Sequence, residues 1–265
     1  MPEIYGTDAY SPQQIADRIE EVGVRKAHLP LIQMGALGVL AGGFIALGAM
    51  FFTVVASDHE LEFALARVLG GVVFSLGLIL VVVAGAELFT GNNLMVMAWV
   101  HRKIPTRLLL RNFSVVYVCN FAGAAGMAVL VDWSEHWRFG EVEKTAVQIA
   151  AAKVALPFGV AFFRGVICNL LVCLAVWLAM AGRSVTDKIL AILFPITAFV
   201  ACGFEHCVAN MYFIPLGMLL APADAPIGLG DLFRNLLPVT LGNVVGGAGL
   251  VGLVYHLIYG RSNRP

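Results

Sequence analysis

Charge is what this chain has least of. Only 13% of its 265 residues are Asp, Glu, Lys or Arg, 17 acidic against 17 basic, while 60% are hydrophobic. Soluble domains run near 45–50% apolar and about 25% charged, so this excess must face a solvent other than water, and the bilayer is the one available. With zero net charge and no block of Lys or Arg there is no footprint for nucleic acid, which demands clustered cations against phosphate. Cysteines are few and unsuited to a framework. Cys119, Cys168, Cys173, Cys202 and Cys207 are odd in number, form no CxxC pair and lie in apolar stretches, so they read as small buried hydrophobes. A secretory leader is not expected, because the chain opens on polar sequence carrying Glu3, Asp8, Asp17, Glu20 and Glu21, and the mature chain is expected to begin near Met1. No Walker-type glycine loop occurs, so a nucleotide-driven activity is not expected.

What the chain has in abundance is long apolar sequence. Six segments, about 31–56, 68–100, 113–131, 155–181, 189–220 and 236–259, each come near or above the roughly 20 residues that a helix needs to cross about 30 Å of hydrocarbon. The second and fifth are too long for simple spans. Each carries polar residues near its middle, Glu87-Leu-Phe-Thr90-Gly-Asn92-Asn93 and Gly203-Phe-Glu205-His206-Cys-Val-Ala-Asn210, and both read as broken helices. Backbone that leaves the helix within a membrane must be buried in protein or line a polar cavity, since lipid cannot satisfy its N–H and C=O groups.

If all six segments cross, one side collects Arg18, Arg25, Lys26, Arg102, Lys103, Arg107, Arg111, Arg183, Lys188, Arg261 and Arg264. The other side holds only Arg67, Arg138, Lys144, Lys153 and Arg234. The richer side should be cytoplasmic, so a multi-pass protein of the cell membrane with both termini inside is expected. Residues 1–30 then form a cytoplasmic segment with an amphipathic helix. Ser11-Pro-Gln-Gln14 opens it as a capping box, and Ile15, Ile19 and Val22 share one face. Such a helix could rest on the membrane surface or on its own protein, or act as a gate. Residues 31–259 form the transmembrane domain and 260–265 a cytoplasmic tail.

An internal repeat organises the transmembrane domain. Arg111-Asn112-x7-Asn120-x2-Gly123-x2-Gly126 recurs as Arg234-Asn235-x7-Asn243-x2-Gly246-x2-Gly249, and Gly85-x-Glu87-x4-Asn92 recurs as Gly203-x-Glu205-x4-Asn210. Two motifs in the same order imply two homologous halves, about 31–131 and 155–259. Three spans per half force opposite orientations, so the expected fold is all-α, with six transmembrane helices in two inverted repeats. The small-residue runs Gly35-Ala-Leu-Gly38 and Gly242-Asn243-Val-Val-Gly246-Gly247-Ala-Gly249 fit close helix packing.

Glu87, Glu205 and His206 are costly at membrane depth unless paired or hydrated, so they mark a candidate pathway. His206 is the sole histidine near the centre of a span; His28, His59, His101 and His136 fall in loops and His256 near an end. Asn120, Asn169 and Asn243 each need a partner at depth. Glu205-His206-Cys207 does not make a metal or nucleophile site, because consecutive side chains diverge and no second histidine lies within a span. No cofactor or metal is expected, nor enzymatic activity.

Ala86-Glu-Leu-Phe-Thr90, Asn169-Leu-Leu-Val-Cys-Leu-Ala-Val-Trp177, Gly203-Phe-Glu-His-Cys-Val-Ala-Asn210 and Pro238-Val-Thr-Leu-Gly-Asn243 resemble the signatures of the formate/nitrite transporter family, over nearly all six spans. The resemblance implies an aquaporin-like six-helix protomer, a homopentamer with one pore per protomer, and passage of small monovalent anions such as formate, nitrite or hydrosulfide. It further implies constrictions at Phe74, Leu78, Leu88, Phe89 and Phe199. His206 and Thr90 would offer polar hydrogens between them, flanked by Glu205 and Asn210, with Asn169 as the buried asparagine and Lys153 at the periplasmic entrance. The run from Gly203 to Met218 is most similar to formate channels, whereas Phe162-Phe-Arg164-Gly165-Val-Ile-Cys-Asn169 is closer to the nitrite branch. A neutral-solute pore of the aquaporin kind is the alternative of another class, although no Asn-Pro-Ala occurs at the breaks.

Overall fold

A computed structural model describes residues 8–260. Glu3, Arg261 and Arg264 of the sequence reading lie outside the described residues. Helix α1, Pro12–Ala27, opens on the expected capping box: the Gln14 N–H donates to Ser11 Oγ at 3.3 Å and the Ser11 N–H to Gln14 Oε1 at 2.9 Å. Helix α2 covers Leu31–Ala56 and α3 covers Phe63–Gly85, the latter widening into a π-helical end over Leu80–Gly85. After an extended stretch at 86–88 the chain resumes as α4 over 89–100, partly in 3-10 form. Then follow α5, Thr106–Trp133, α6, Val142–Val154, α7, Phe158–Ala181, α8, Val185–Ala201, α9, Cys207–Leu220, and α10, Leu229–Tyr259.

Five of these, α2, α3, α5, α7 and α10, are long and apolar enough to cross a membrane. The fifth apolar segment of the sequence is divided into α8, of 17 residues, and α9, of 14. At about 1.5 Å per residue neither half alone reaches across about 30 Å of hydrocarbon. Both breaks turn on a glycine in the left-handed region, Gly85 at φ 85° and Gly203 at φ 73°, conformations that side-chain-bearing residues rarely adopt.

Helix α2 lies on α5, and α7 on α10. A Cβ added at Gly42 would strike the Asn120 carbonyl oxygen, and one at Gly123 that of Val39; in the second pair, Gly242 meets the Phe162 carbonyl and Gly246 that of Val166. The glycines let backbones touch where any side chain would hold them apart. Their neighbours in the repeat, Gly126 and Gly249, face open space. Helix α1 packs on its own protein, Ile15 and Ile19 being buried among Leu94, Met97, Trp177 and Val251. The expected burial of the cysteines fails at two positions: Cys202 sits exposed at the turn after α8, because the break ends the packed helix there, and Cys119 is half-buried, while Cys168, Cys173 and Cys207 are buried.

Overpacking a close contact costs about 1–3 kcal/mol. Gly123→Ala and Gly246→Ala should therefore each lower the thermal midpoint of the protein in detergent, while Gly126→Ala leaves it unchanged.

Candidate functional site

Each break frees backbone groups, and the same residue types capture them. In the first, the Asn120 carboxamide accepts from the Phe89 N–H at 2.9 Å and donates to the carbonyls of Glu87 at 2.9 Å and Gly38 at 2.7 Å. In the second, Asn243 accepts from the Cys207 N–H at 2.9 Å and donates to the carbonyls of Glu205 at 3.0 Å and Gly165 at 2.8 Å. A carboxamide suits this place because it offers an acceptor and two donors on one rigid plane.

The acidic residue of each break is held in a matching way. Asn92 donates to Glu87 Oε2 and to Asn112 Oδ1, both at 2.8 Å, and Lys26 Nζ reaches Glu87 Oε1 at 2.8 Å. Asn210 donates to Glu205 Oε2 and to Asn235 Oδ1, both at 2.7 Å, and Lys153 Nζ lies 3.0 and 3.2 Å from the two Glu205 oxygens. Buried carboxylates are tolerable only when paired and hydrogen-bonded, and both are. Lys26, Asn92, Asn112 and Asn235 were not among the expected site residues. The asparagines stand in the repeated motifs, and Lys26-x3-Pro30-x7-Gly38 repeats as Lys153-x3-Pro157-x7-Gly165, a signal that lies outside the apolar runs.

Between the two clusters the breaks meet. Thr90, in the first turn after one break, and His206, which caps α9 after the other, are both buried, with Thr90 Oγ1 2.9 Å from His206 Nε2. The other ring nitrogen, Nδ1, accepts from the Ala209 backbone N–H at 3.1 Å. A backbone N–H can only donate, so Nδ1 carries no proton and Nε2 is the protonated nitrogen, donating to Thr90. Among the described residues the Thr90 hydroxyl hydrogen has no acceptor. The Thr90 carbonyl takes a bond from Asn169 Nδ2 at 3.3 Å, and Asn169 also donates to the Asn243 carbonyl at 2.7 Å. Asn169 thus ties one break to the clamp of the other.

Two cavities flank this pair and share no lining residue. One, of about 450 Å³, is bounded by α1, α3 and the first break, and its lining includes Leu78, Leu88, Arg25, Lys26, Glu87 and Asn92. The other, of about 250 Å³, is lined by Phe74, Phe199, His206, Arg67, Lys153, Arg164 and Glu205 among others. Phe74 and Phe199 pack edge to face, centroids 5.6 Å apart, and the His206 ring lies 5.9 Å from Phe199. Cations outnumber carboxylates in both linings, two to one in the first and three to one in the second. Phe89 lines neither cavity. With its N–H held by Asn120 of α5, its ring turns toward that helix and packs on Phe113 at 5.6 Å and Tyr117 at 4.9 Å.

A family profile described as formate/nitrite transporter matches residues 13–257. The chain is 41% identical over 259 residues to the uncharacterized transporter YrhG of Bacillus subtilis (strain 168), covering 96% of this chain and 95% of that protein. It is 38% identical over 275 residues to the formate channel FocA of Escherichia coli (strain K12), covering 97% and 96%. A solved structure titled pentameric formate channel with formate bound superposes with a TM-score of 0.79 at 35% identity, over 87% of this chain and 98% of that one.

Removing one member of a buried hydrogen-bonded set leaves groups unsatisfied at about 1–3 kcal/mol each. Asn120→Ala and Asn243→Ala each strand one N–H and two carbonyls, so both should lower the thermal midpoint more than alanine at Asn169, which serves two carbonyls.

Proposed function

The chain belongs to the formate/nitrite transporter family, and from that premise we propose that it conducts small monovalent anions across a cell membrane, with formate the principal one. The observation that carries this reading is the lining of the two cavities. Both have more cations than carboxylates, and a thin apolar seam that bears two polar hydrogens separates them. A surplus of positive charge in a low-dielectric cleft raises the local concentration of anions and turns cations away. A neutral-solute pore has no use for it.

On this reading an anion enters either cavity, where Lys26 or Lys153 holds it near the seam. To pass Leu78 and Leu88 on one side and Phe74 and Phe199 on the other it must leave most of its water behind, a large penalty for a bare charge. The Thr90 hydroxyl and the His206 Nε2–H replace part of that lost hydration. His206 serves as hydrogen-bond donor, sharing a proton transiently with the anion, because full protonation of the ring would have to displace the Ala209 N–H from Nδ1. Asn169 and the two Asn clamps keep both donors aimed at one point. The resemblance of Lys26 and Lys153, of Glu87 and Glu205, and of the two clamps supports two inverted halves of three spans, with the divided α8–α9 as one span. Exposed Phe163, Phe194, Phe233 and Leu237 suit an outer surface that meets lipid or neighbouring copies, in a pentamer like that of the solved formate channel. Both termini would face the cytoplasm. Within the family, the Phe162–Asn169 stretch keeps nitrite as the second reading.

The test is the initial uptake of formate, nitrite, hydrosulfide and chloride into vesicles holding the purified protein, at two pH values. Formate should lead and chloride, the conjugate base of a strong acid and so unable to share a proton, should trail; equal rates for all four would refute the seam as a filter. Loss of a hydrogen bond to a charged group is worth about 1.5–3 kcal/mol, and 1.4 kcal/mol is tenfold in rate. His206→Phe should thus slow formate by about tenfold or more in a folded protein, and His206→Asn, whose carboxamide still offers a donor, should lose less. Lys153→Gln and Lys26→Gln should each slow uptake at low salt, with the difference shrinking as salt screens the charge.

A further inference from the structure

Away from the seam, one cluster of metal-ligating side chains gathers three distant parts of the chain. Glu20 on α1, His101 in the loop after α4 and His256 near the end of α10 offer a carboxylate oxygen and two imidazole nitrogens that all lie within 4.8 Å of one another. Glu20 and His256 are buried, and the two rings meet edge on with centroids 4.2 Å apart. His101 turns Nδ1 onto Glu20 Oε1, and its Nε2 lies 2.9 Å from the Gly260 carbonyl oxygen.

That second contact decides the chemistry of the first. A carbonyl oxygen can only accept, so Nε2 holds a proton, and in the neutral ring Nδ1 is left with a lone pair aimed at a carboxylate oxygen. Two electron-rich atoms in direct contact share a proton between them, and a metal ion that displaces that proton would take both as ligands once they part to coordination spacing. A histidine whose far N–H is held by a backbone carbonyl is the arrangement that orients an imidazole for metal ligation. Lys103 takes the other oxygen, Oε2, at 2.6 Å and is half exposed, so Oε1 stays directed at His101 and the ammonium can retreat into water as an ion arrives. Two imidazoles and one carboxylate select borderline ions such as Zn²⁺, Ni²⁺ or Cu²⁺ over Mg²⁺ or Ca²⁺, with water completing the sphere.

We propose that Glu20, His101 and His256 bind a divalent transition-metal ion of the zinc class, which fastens α1 to the loop after α4 and to the end of α10. Another face of α1 carries Ile19, Val22, Gly23 and Lys26 into the lining of the larger cavity, so an ion here would also fix that wall. The site uses none of the residues that carry the anion reading, and the two stand or fall separately.

The probe is Zn²⁺ titrated by calorimetry into the full chain, free of any histidine tag, in detergent. One ion per chain should bind, and Zn²⁺ should raise the thermal midpoint, since a ligand that binds only the folded state stabilises it. His101→Gln and His256→Gln should each weaken binding by about a hundredfold, as loss of a ligand or its support does, and abolish the thermal shift. Glu20→Gln, which keeps the shape and loses the charge, should do the same and supplies the comparison if a histidine variant fails to fold. Co²⁺ in place of Zn²⁺ should give the visible absorption of a four-coordinate site in the wild type alone. Absence of binding below millimolar Zn²⁺, or equal binding by the His101→Gln/His256→Gln double variant, would overturn the proposal.

Discussion

The structure depends on how two interruptions of helix are satisfied within an apolar layer. Backbone that leaves the helix there exposes donors and acceptors that lipid cannot meet, and each unmet group costs as much as a lost hydrogen bond or more. Asn120 and Asn243 meet two such groups apiece, the N–H that opens the returning helix and a carbonyl on the break, and each also bonds a carbonyl on a neighbouring helix. The glycines of α2, α5, α7 and α10 belong to the same solution. The carboxamides reach the breaks only because these helices touch backbone to backbone, and Gly38 and Gly165, whose carbonyls the clamps hold, are themselves points of close approach.

From this follow the electrostatics. Once the breaks are fixed, Glu87 and Glu205 are buried beside them and need partners, which Lys26 and Lys153 provide together with Asn92 and Asn210. The pairs neutralise the carboxylates, and the cations that remain, Arg25 on one side and Arg67 and Arg164 on the other, leave each cavity positive. Arg67 is anchored by the Val200 and Ala201 carbonyls at 2.7 and 2.8 Å, so its charge is held at the end of α8, where helix carbonyls favour a cation. The breaks also bring Thr90 and His206 face to face, and the Ala209 N–H bonded to Nδ1 decides which ring nitrogen points at Thr90.

Much of this was legible in the sequence because polar residues in apolar runs are conspicuous. Glu87 and Glu205 located both breaks, and the spacing of Asn120 and Asn243 from their glycines announced a repeated device. What the spacing could not tell is that these asparagines clamp the breaks, since that depends on which neighbouring helix comes within reach. Lys26 escaped notice because it lies in a polar, soluble-looking helix, where a lysine is ordinary. Its match to Lys153 shows only when the repeat is extended back through Pro30 and Pro157. Helix α6 escaped for a related reason: Val142–Val154 is too short and too polar to read as a span, yet its last turn carries Lys153 as the last turn of α1 carries Lys26. The direction of Phe89 was not legible either. Adjacent residues at the start of a helix point about 100° apart, so Thr90 can face His206 only if Phe89 turns away, here toward Phe113 and Tyr117.

The central claim, that a seam between two cation-rich cavities passes anions and not neutral molecules of like size, is tested most directly by one comparison. Vesicles containing the purified protein are challenged in turn with formate, urea and glycerol, and the protein-dependent flux of each is measured by light scattering. The account predicts formate flux well above that of empty vesicles, with urea and glycerol no faster than through lipid alone. Rapid urea or glycerol flux without protein-dependent formate entry would contradict it.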